Sequence, residues 1–317
     1  MRRTCIYQAR CSLAPQNEIR LMHASPDIET PDVSVIIPSL NESWLRRTVE
    51  NVGPTLPTNS EIIVVDDGST DGSTDFLIGA TGRVRMIHAD RVGVARARNL
   101  GARASRGKTI VFADAHLRVE PGWCELLLGL LERASVGAVS AAVTDMFQTD
   151  RLGVGLHLTG PDLAVEWLQA GSAGPCQVPL LSGCFWAMRR DVFEATGGFD
   201  DGMIRWGCED TELSIRLWLQ GYEVLVSPQT EVRHLFREYL PYDLDWSCLV
   251  HNKLRLAYLH FCEDRYKRVV DALRRDESFA AGVKLLEQSD VAERRREFDA
   301  RRIHDDDWFF NRFGPGW

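Results

Sequence analysis

Three short apolar runs, each ending in polar residues, constrain this chain more than any other feature. Val33-Ser34-Val35-Ile36-Ile37 runs into Pro38, Asn41 and Glu42. Glu61-Ile62-Ile63-Val64-Val65 runs into Asp66-Asp67-Gly68-Ser69, and Thr109-Ile110-Val111-Phe112-Ala113 into Asp114-Ala115-His116. Runs this short and this rich in β-branched residues suit strands buried on both faces. Between the first two, Leu45, Thr48, Val49 and Val52 fall at i, i+3, i+4 and i+7, the spacing of a helix. Asn41 or Ser43 is placed to cap that helix, and Gly53-Pro54 to end it. Strand, helix, strand in this order requires a right-handed crossover and a parallel sheet. The same pattern predicts a strand over 84–88, a helix over 94–104, a helix carrying Trp123, Leu126, Leu127, Leu130 and Leu131, and a strand over 136–143. The expected fold class is α/β, a mostly parallel sheet flanked by helices.

Polar residues just past strand ends lie where open α/β sheets bind ligands. Asp114 and His116, one residue apart, offer a carboxylate oxygen and an imidazole nitrogen, donors that suit Mn²⁺ or a similar divalent ion. No Gly-x-Gly-x-x-Gly follows the first strand and no Gly-Lys-Ser/Thr loop occurs, which disfavours a dinucleotide-binding dehydrogenase and a P-loop NTPase. A net charge of −8 argues against nucleic acid as a partner. The eight cysteines form no Cys-x-x-Cys pair, so neither a zinc ribbon nor a disulfide scaffold is indicated. No apolar run approaches membrane-spanning length and no apolar h-region occurs in the first thirty residues, which leads to the expectation of a cytoplasmic protein.

Further along, 153–179 is rich in Gly and Pro and reads as a long loop or hairpin region over the active face. A strand is predicted over 180–188 and a short helix over 190–195. In Trp206-Gly207-Cys208-Glu209-Asp210-Thr211-Glu212 the acids open a helix, with Asp210 or Thr211 as its cap. Adjacent carboxylates beside Trp206 also suit acid/base chemistry. A strand is expected over 222–226, then a loop over 230–237 holding His234 and Arg237, then a helix over 251–260. Residues 264–302 read as amphipathic helices, and 305–310 as a tail docked by its aromatic residues.

Several of these motifs together resemble a GT-A-fold glycosyltransferase of family 2. They are Val35-Ile36-Ile37-Pro38 with Asn41-Glu42, Val64-Val65-Asp66-Asp67-Gly68-Ser69, Ala97-Arg98-Asn99, and Asp114-Ala115-His116. The second half is similar to the catalytic domains of polypeptide N-acetylgalactosaminyltransferases. It carries Gly183-Cys184-Phe185, Gly198-Phe199-Asp200-Asp201-Gly202-Met203, Trp206-Gly207-Cys208-Glu209, Glu212-Leu213-Ser214-Ile215-Arg216-Leu217-Trp218 and His234-Leu235-Phe236-Arg237. The resemblance covers roughly 33–262. It implies a GT-A domain over 32–262, with a nucleotide-binding half at 32–118 and an acceptor half at 119–262. An N-terminal extension (1–31) and a helical C-terminal extension (263–317) would flank it, without the lectin domain or membrane anchor of those transferases.

Carried over, the resemblance assigns Asp114, His116 and His234 to Mn²⁺ (or Mg²⁺). It gives Pro38, Glu42, Asp66, Asp67, Arg91, Arg98, Asp114 and Arg237 to the nucleotide-sugar donor, and Gly183, Trp206 and Glu209 to the sugar and acceptor. Asp210 stands where the N-acetylgalactosaminyltransferases usually carry Asn. Glu-Asp at this place is typical of inverting family-2 enzymes, so Asp210, with Glu209 beside it, is the expected catalytic base. The implied reaction is metal-dependent transfer of a sugar from a UDP-sugar to a hydroxyl on a glycan, peptide or small molecule. The alternatives are a non-catalytic nucleotide- or sugar-binding protein that keeps the fold and, less favoured, a sugar nucleotidyltransferase, for which Pro38-Ser39-Leu40-Asn41 is no phosphate loop.

Overall fold

The structure is a computed structural model describing residues 32–149, 151–237 and 243–317; the expected extension over 1–31 lies outside the described residues. The strands are β1 (Val33–Ser39), β2 (Ser60–Asp66), β3 (Val84–His88), β4 (Thr109–Ala113), β5 (Leu117–Val119), β6 (Val136–Asp145), β7 (Gly153–Leu158), β8 (Val165–Gln169), β9 (Cys176–Gln177), β10 (Phe185–Arg189) and β11 (Glu223–His234). The helices are α1 (Leu45–Val52), α2 (Val94–Ala104), α3 (Trp123–Leu131), α4 (Arg190–Thr196), α5 (Glu209–Leu219), α6 (Trp246–His260), α7 (Glu263–Leu273), α8 (Phe279–Glu287), α9 (Val291–Asp299) and α10 (Asp306–Phe313).

The main sheet runs β3-β2-β1-β4-β10-β6-β11-β5. β3, β2, β1 and β4 are parallel, β10 is antiparallel to both its neighbours, and β6 and β11 are again parallel. The strand order reverses between β1 and β4, so a crevice opens at their C-terminal ends, the switch point where such sheets bind ligands. The apolar runs explain the layering. Ile36, Ile63, Val65, Ile110 and Phe112 face one core, under α2, α4, α5 and α6. Val35, Ile37, Ile62, Val64 and Val111 face the other, under α1 and α3.

Three expectations differ from the structure, each for a local reason. α1 and α5 lack the expected side-chain caps: Trp44 and Cys208 occupy the cap positions. Asn41 instead bonds the neighbouring loop, with its amide donating to Ser69 Oγ and its Oδ1 accepting from the Thr70 amide. The Gly-rich 153–179 stretch takes the hairpin form of its expectation: it contains β7, β8 and β9, of which β7 and β8 form an antiparallel hairpin. The strand expected from 180 begins only at Phe185, because the Leu181 amide turns away to donate to Ser214 Oγ on α5. Most consequential, residues 230–234 are no loop. β11 continues to His234 through a bulge between Ser227 and Glu231 that absorbs Pro228, so the missing proline N–H disrupts no ladder bond.

The C-terminal helices pack on the same core. Phe298, Phe309 and Phe310 are buried in it, and the Phe313 ring lies 4.9 Å from Trp218 on α5. Asp305 caps α10 by accepting from the Trp308 amide. Burying a phenylalanine contributes roughly 1.5–3 kcal/mol, so this tail helps to hold α5.

Candidate functional site

The crevice is built by fixing one turn and extending one strand. The turn 114–116 follows β4, and α1 pins it from below. Thr48 Oγ1 lies 2.9 Å from Ala115 O and accepts from the Leu117 amide at 3.1 Å. Asp114 and His116 are thereby held at the mouth. The far end of β11 pairs with β5, His234 opposite Leu117, and the Leu235 amide donates to His116 O at 3.0 Å. The bulge in β11 thus brings together residues that are 120 positions apart.

His234 Nε2 lies 3.3 Å from Asp114 Oδ2, and the His116 and His234 rings are 4.7 Å apart. Asp114, His116 and His234 each offer a ligand atom, all within 4.8 Å of one another. That spread is slightly wider than the roughly 4 Å across a divalent ion with ligand bonds of about 2 Å. Two imidazoles and one carboxylate favour a first-row transition ion such as Mn²⁺ over Mg²⁺. Among the described residues His234 Nδ1 is buried without a partner, an added sign that this ring is held for something other than packing. The donor set therefore fits the expected metal. Burial alone would raise the Asp114 pKa, but its bond to His234 and the nearby Arg98 charge outweigh that and hold it well below the usual carboxylate range. Asp114 is thus an anion ready to ligate.

Arg98 was expected on the donor; the structure places its side chain 2 % exposed, with its guanidinium engaged inside the protein. Its guanidinium donates to Glu209 Oε1 at 2.9 Å, Asp114 Oδ1 at 3.1 Å and Gly183 O at 2.6 Å. It is the buried cation that joins the metal turn to the start of α5.

Glu42, also expected on the donor, is likewise engaged inside the protein. It is buried, and both carboxylate oxygens are used within the protein. Arg237 forms a bidentate pair with it at 2.7 Å on both arms, the Trp44 amide donates to Oε1, and His116 Nδ1 lies 2.9 Å from Oε2. Arg237, expected at the diphosphate, therefore sits on Glu42. Asp66 is likewise turned into its own loop, accepting from the Ser69 amide and meeting His88 Nδ1. Asp67 accepts from the Val92 and Gly93 amides at 2.6 and 2.9 Å, which anchors the entry to α2. Pro38 is half-buried at the end of β1, and Arg91 is exposed with its carbonyl accepting from Arg205.

Residues from the second half of the chain converge on the same crevice. Gly93 has φ +89°, and a Cβ there would lie 2.8 Å from the Arg205 backbone, so only glycine lets the 204–208 loop pack on the start of α2. Val94 N donates to Arg205 O across that contact. Trp206 on this loop stays 41 % exposed. Glu209 was expected to face sugar hydroxyls, but it is buried, bonded to Arg98 and to the Gly207 amide. Burial, reinforced by the charge of Asp210, pushes its pKa up to about 7 despite Arg98. Asp210 is only half-buried. Its Oδ2 accepts from the Gly183 amide at 2.8 Å and its Oδ1 from the Thr211 amide at 2.7 Å. Two backbone donors thus aim an accessible carboxylate beside the Asp114 cluster, to which Gly183 and Arg98 link it.

Sequence reasoning missed the wall next to this cluster. Phe236 packs on the His234 ring at 4.6 Å and meets Trp167 edge-on at 6.1 Å. Together with Asp145, Gln148, Arg151 and Gln169 they line a cavity of about 420 Å³. Phe236 stood in the His234-Leu235-Phe236-Arg237 motif, but Trp167 was a lone Trp in a stretch without periodicity.

Comparison with known proteins agrees with this architecture. A model described as glycosyl transferase family 2 matches residues 34–197, just over half of the 317 residues, and one described as the N-terminal domain of galactosyltransferase matches 174–239. Polypeptide N-acetylgalactosaminyltransferase 11 of Xenopus tropicalis is 32% identical over 276 residues, 78% of this chain and 45% of that protein. Polypeptide N-acetylgalactosaminyltransferase 6 of Mus musculus is 30% identical over 314 residues, 90% of this chain and 50% of that protein. The chain thus spans about half the length of these relatives. Among solved structures, GalNAc-T7 with UDP, GalNAc and Mn²⁺ superposes with a TM-score of 0.74 at 23% identity, over 90% of this chain and 57% of that one. A mannosyltransferase from Pyrobaculum calidifontis with GDP-Man and Mn²⁺ gives 0.53 at 19%, over 87% and 76%. These structural likenesses establish the GT-A-like fold, and with the family model matched over residues 34–197, the chain belongs to glycosyl transferase family 2.

Proposed function

We propose that this chain transfers a sugar from a UDP-sugar to an acceptor hydroxyl with the help of a divalent metal, Mn²⁺ for preference. The observation that carries the reading is the cluster of Asp114, His116 and His234 at the switch point, with the aimed carboxylate of Asp210 next to it. The relatives named N-acetylgalactosaminyltransferases, and a structural neighbour holding UDP and Mn²⁺, support the donor class.

Asp114, His116 and His234 would hold the ion, which when bound would stabilise the diphosphate leaving group as a Lewis acid. Asp210 would take the proton of the acceptor hydroxyl, its orientation fixed by the Gly183 and Thr211 amides. Pro38, Asp67 and Arg91 would border the nucleotide. Exposed Trp206 would stack against the sugar. The cavity between Trp167 and Phe236 would receive the acceptor, a glycan, peptide or small molecule. A reducing, cytoplasmic setting is part of the proposal, supported by the free thiols of Cys124, Cys176, Cys184, Cys208 and Cys262. A native disulfide would contradict it.

The test is calorimetric titration of UDP with and without Mn²⁺, on wild type and on His234→Ala. Binding that needs the metal and is lost in the variant supports the proposal. Metal-independent binding, or none, contradicts it. Metal-dependent UDP binding without turnover of any UDP-sugar would favour a binding protein that keeps the fold.

A further inference from the structure

An imidazole that ligates a metal through one nitrogen needs its other nitrogen held, because the second bond fixes both the tautomer and the ring's orientation. At His234 the remaining buried nitrogen, Nδ1, has no partner among the described residues. At His116 the situation is the opposite. Its Nδ1 faces Glu42 Oε2 at 2.9 Å, which leaves Nε2 for a ligand.

Glu42 is built to hold that bond. It follows β1, and its carboxylate is 4 % exposed on the side chain. Each oxygen has two donors around it, Trp44 N and Arg237 Nη2 at Oε1, Arg237 Nη1 and His116 Nδ1 at Oε2. A carboxylate so surrounded is an acceptor only, so the hydrogen shared with His116 belongs to the imidazole. The bidentate arm of Arg237 fixes the plane of the carboxylate and so the direction in which Oε2 meets the ring.

We propose that Glu42 is the positioning residue of the metal centre: it fixes His116 as the Nδ1–H tautomer with Nε2 directed to the ion, and Arg237 holds Glu42 in place to do so. This rests on the metal-centre reading above. It also gives the Arg237–Glu42 pair a second consequence. A diphosphate is a competing bidentate partner for Arg237, so donor arrival and the anchoring of His116 draw on the same guanidinium.

The test uses Mn²⁺ alone as the probe, titrated into metal-free full chain. Glu42→Gln keeps the size and one acceptor oxygen but removes the charge and sets an amide NH₂ against one of the donors. Mn²⁺ binding is expected to weaken by roughly 10–100-fold, the usual effect of removing the partner of a ligating histidine. Arg237→Met, which spares the carboxylate, is expected to weaken Mn²⁺ binding less than Glu42→Gln does. Equal Mn²⁺ affinity in wild type and Glu42→Gln overturns this proposal alone, whereas a wild type that binds no Mn²⁺ overturns the metal-centre reading with it. If Glu42→Gln does not fold, the wild-type tautomer decides: long-range ¹H–¹⁵N correlation spectra should show His116 protonated at Nδ1, and protonation at Nε2 overturns the proposal.

Discussion

Replacing Arg98 by Met is the sharpest perturbation of this structure. The guanidinium is fully buried and serves two carboxylates at once, Glu209 and Asp114, as well as Gly183 O. Met fills most of the volume, so the loss is electrostatic: a buried carboxylate and a carbonyl are left without their donor. Removing one partner of a buried ion pair costs about 3–5 kcal/mol. For a domain of this size that corresponds to a fall in Tm of roughly 6–20 °C. The penalty should also depend on pH, and its sign follows from Glu209. Its pKa in the folded protein is pushed up to about 7 from an ordinary 4.5. A carboxyl with a raised folded pKa favours folding while protonated, and that contribution is lost as pH rises from about 4.5 through 7. Without Arg98 the ionised form is worse still, so the destabilisation should be larger at pH 8 than at pH 5. Urea unfolding of wild type, Arg98→Met, Glu209→Gln and the double variant at both pH values measures this. The double variant should be less destabilised than the sum of the singles. A penalty below about 1 kcal/mol, or one of equal size at pH 5 and pH 8, would refute the reasoning.

Other variants probe separate links. Gly183→Ala would bring its Cβ to 3.0 Å from Asp210 Oδ2 and 3.3 Å from Asp210 Cβ, so sugar transfer should fall at least tenfold while Tm changes by only a few degrees. The thiols of Cys184 and Cys208, pushed up to about 12 mainly by burial, should resist alkylation at pH 8 in the native protein and react at once in urea, as peptide mass mapping would reveal. Phe309→Ala empties a fully buried site under α10 and should cost about 3–5 kcal/mol in urea unfolding.

How much of this was legible in the sequence depended on whether the signal was local. β1, β2 and β4 were readable because burial on both faces makes a strand a continuous apolar run. The second half of β11 was not, because Ser227-Pro228-Gln229-Thr230 carries loop chemistry and only the partner strand β6 turns it into a bulge. Short β5 has no local signature either; it exists because β11 pairs with it. At the site, Asp114 and His116 could be named from their place after an apolar run, and His234 only through the resemblance. The internal partners of Glu42, Asp66 and Arg98 could not be read from the sequence, because a charged residue at a strand end or on a helix looks the same whether it faces a ligand or a partner within the protein. Their partners lie 195, 22 and 111 positions away, so pairing was a matter of tertiary contact.

The central claim is that the cluster at the end of β4 and β11 makes this chain a metal-dependent sugar transferase. The direct measurement is UDP release from a panel of UDP-sugars, with metal stripped by chelation and Mn²⁺ then restored, on wild type and Asp114→Asn. The expected result is release by wild type that vanishes on stripping, returns with Mn²⁺, and is at least about a hundredfold lower in the variant. Release that survives stripping, or an Asp114→Asn protein as active as wild type, would contradict the account.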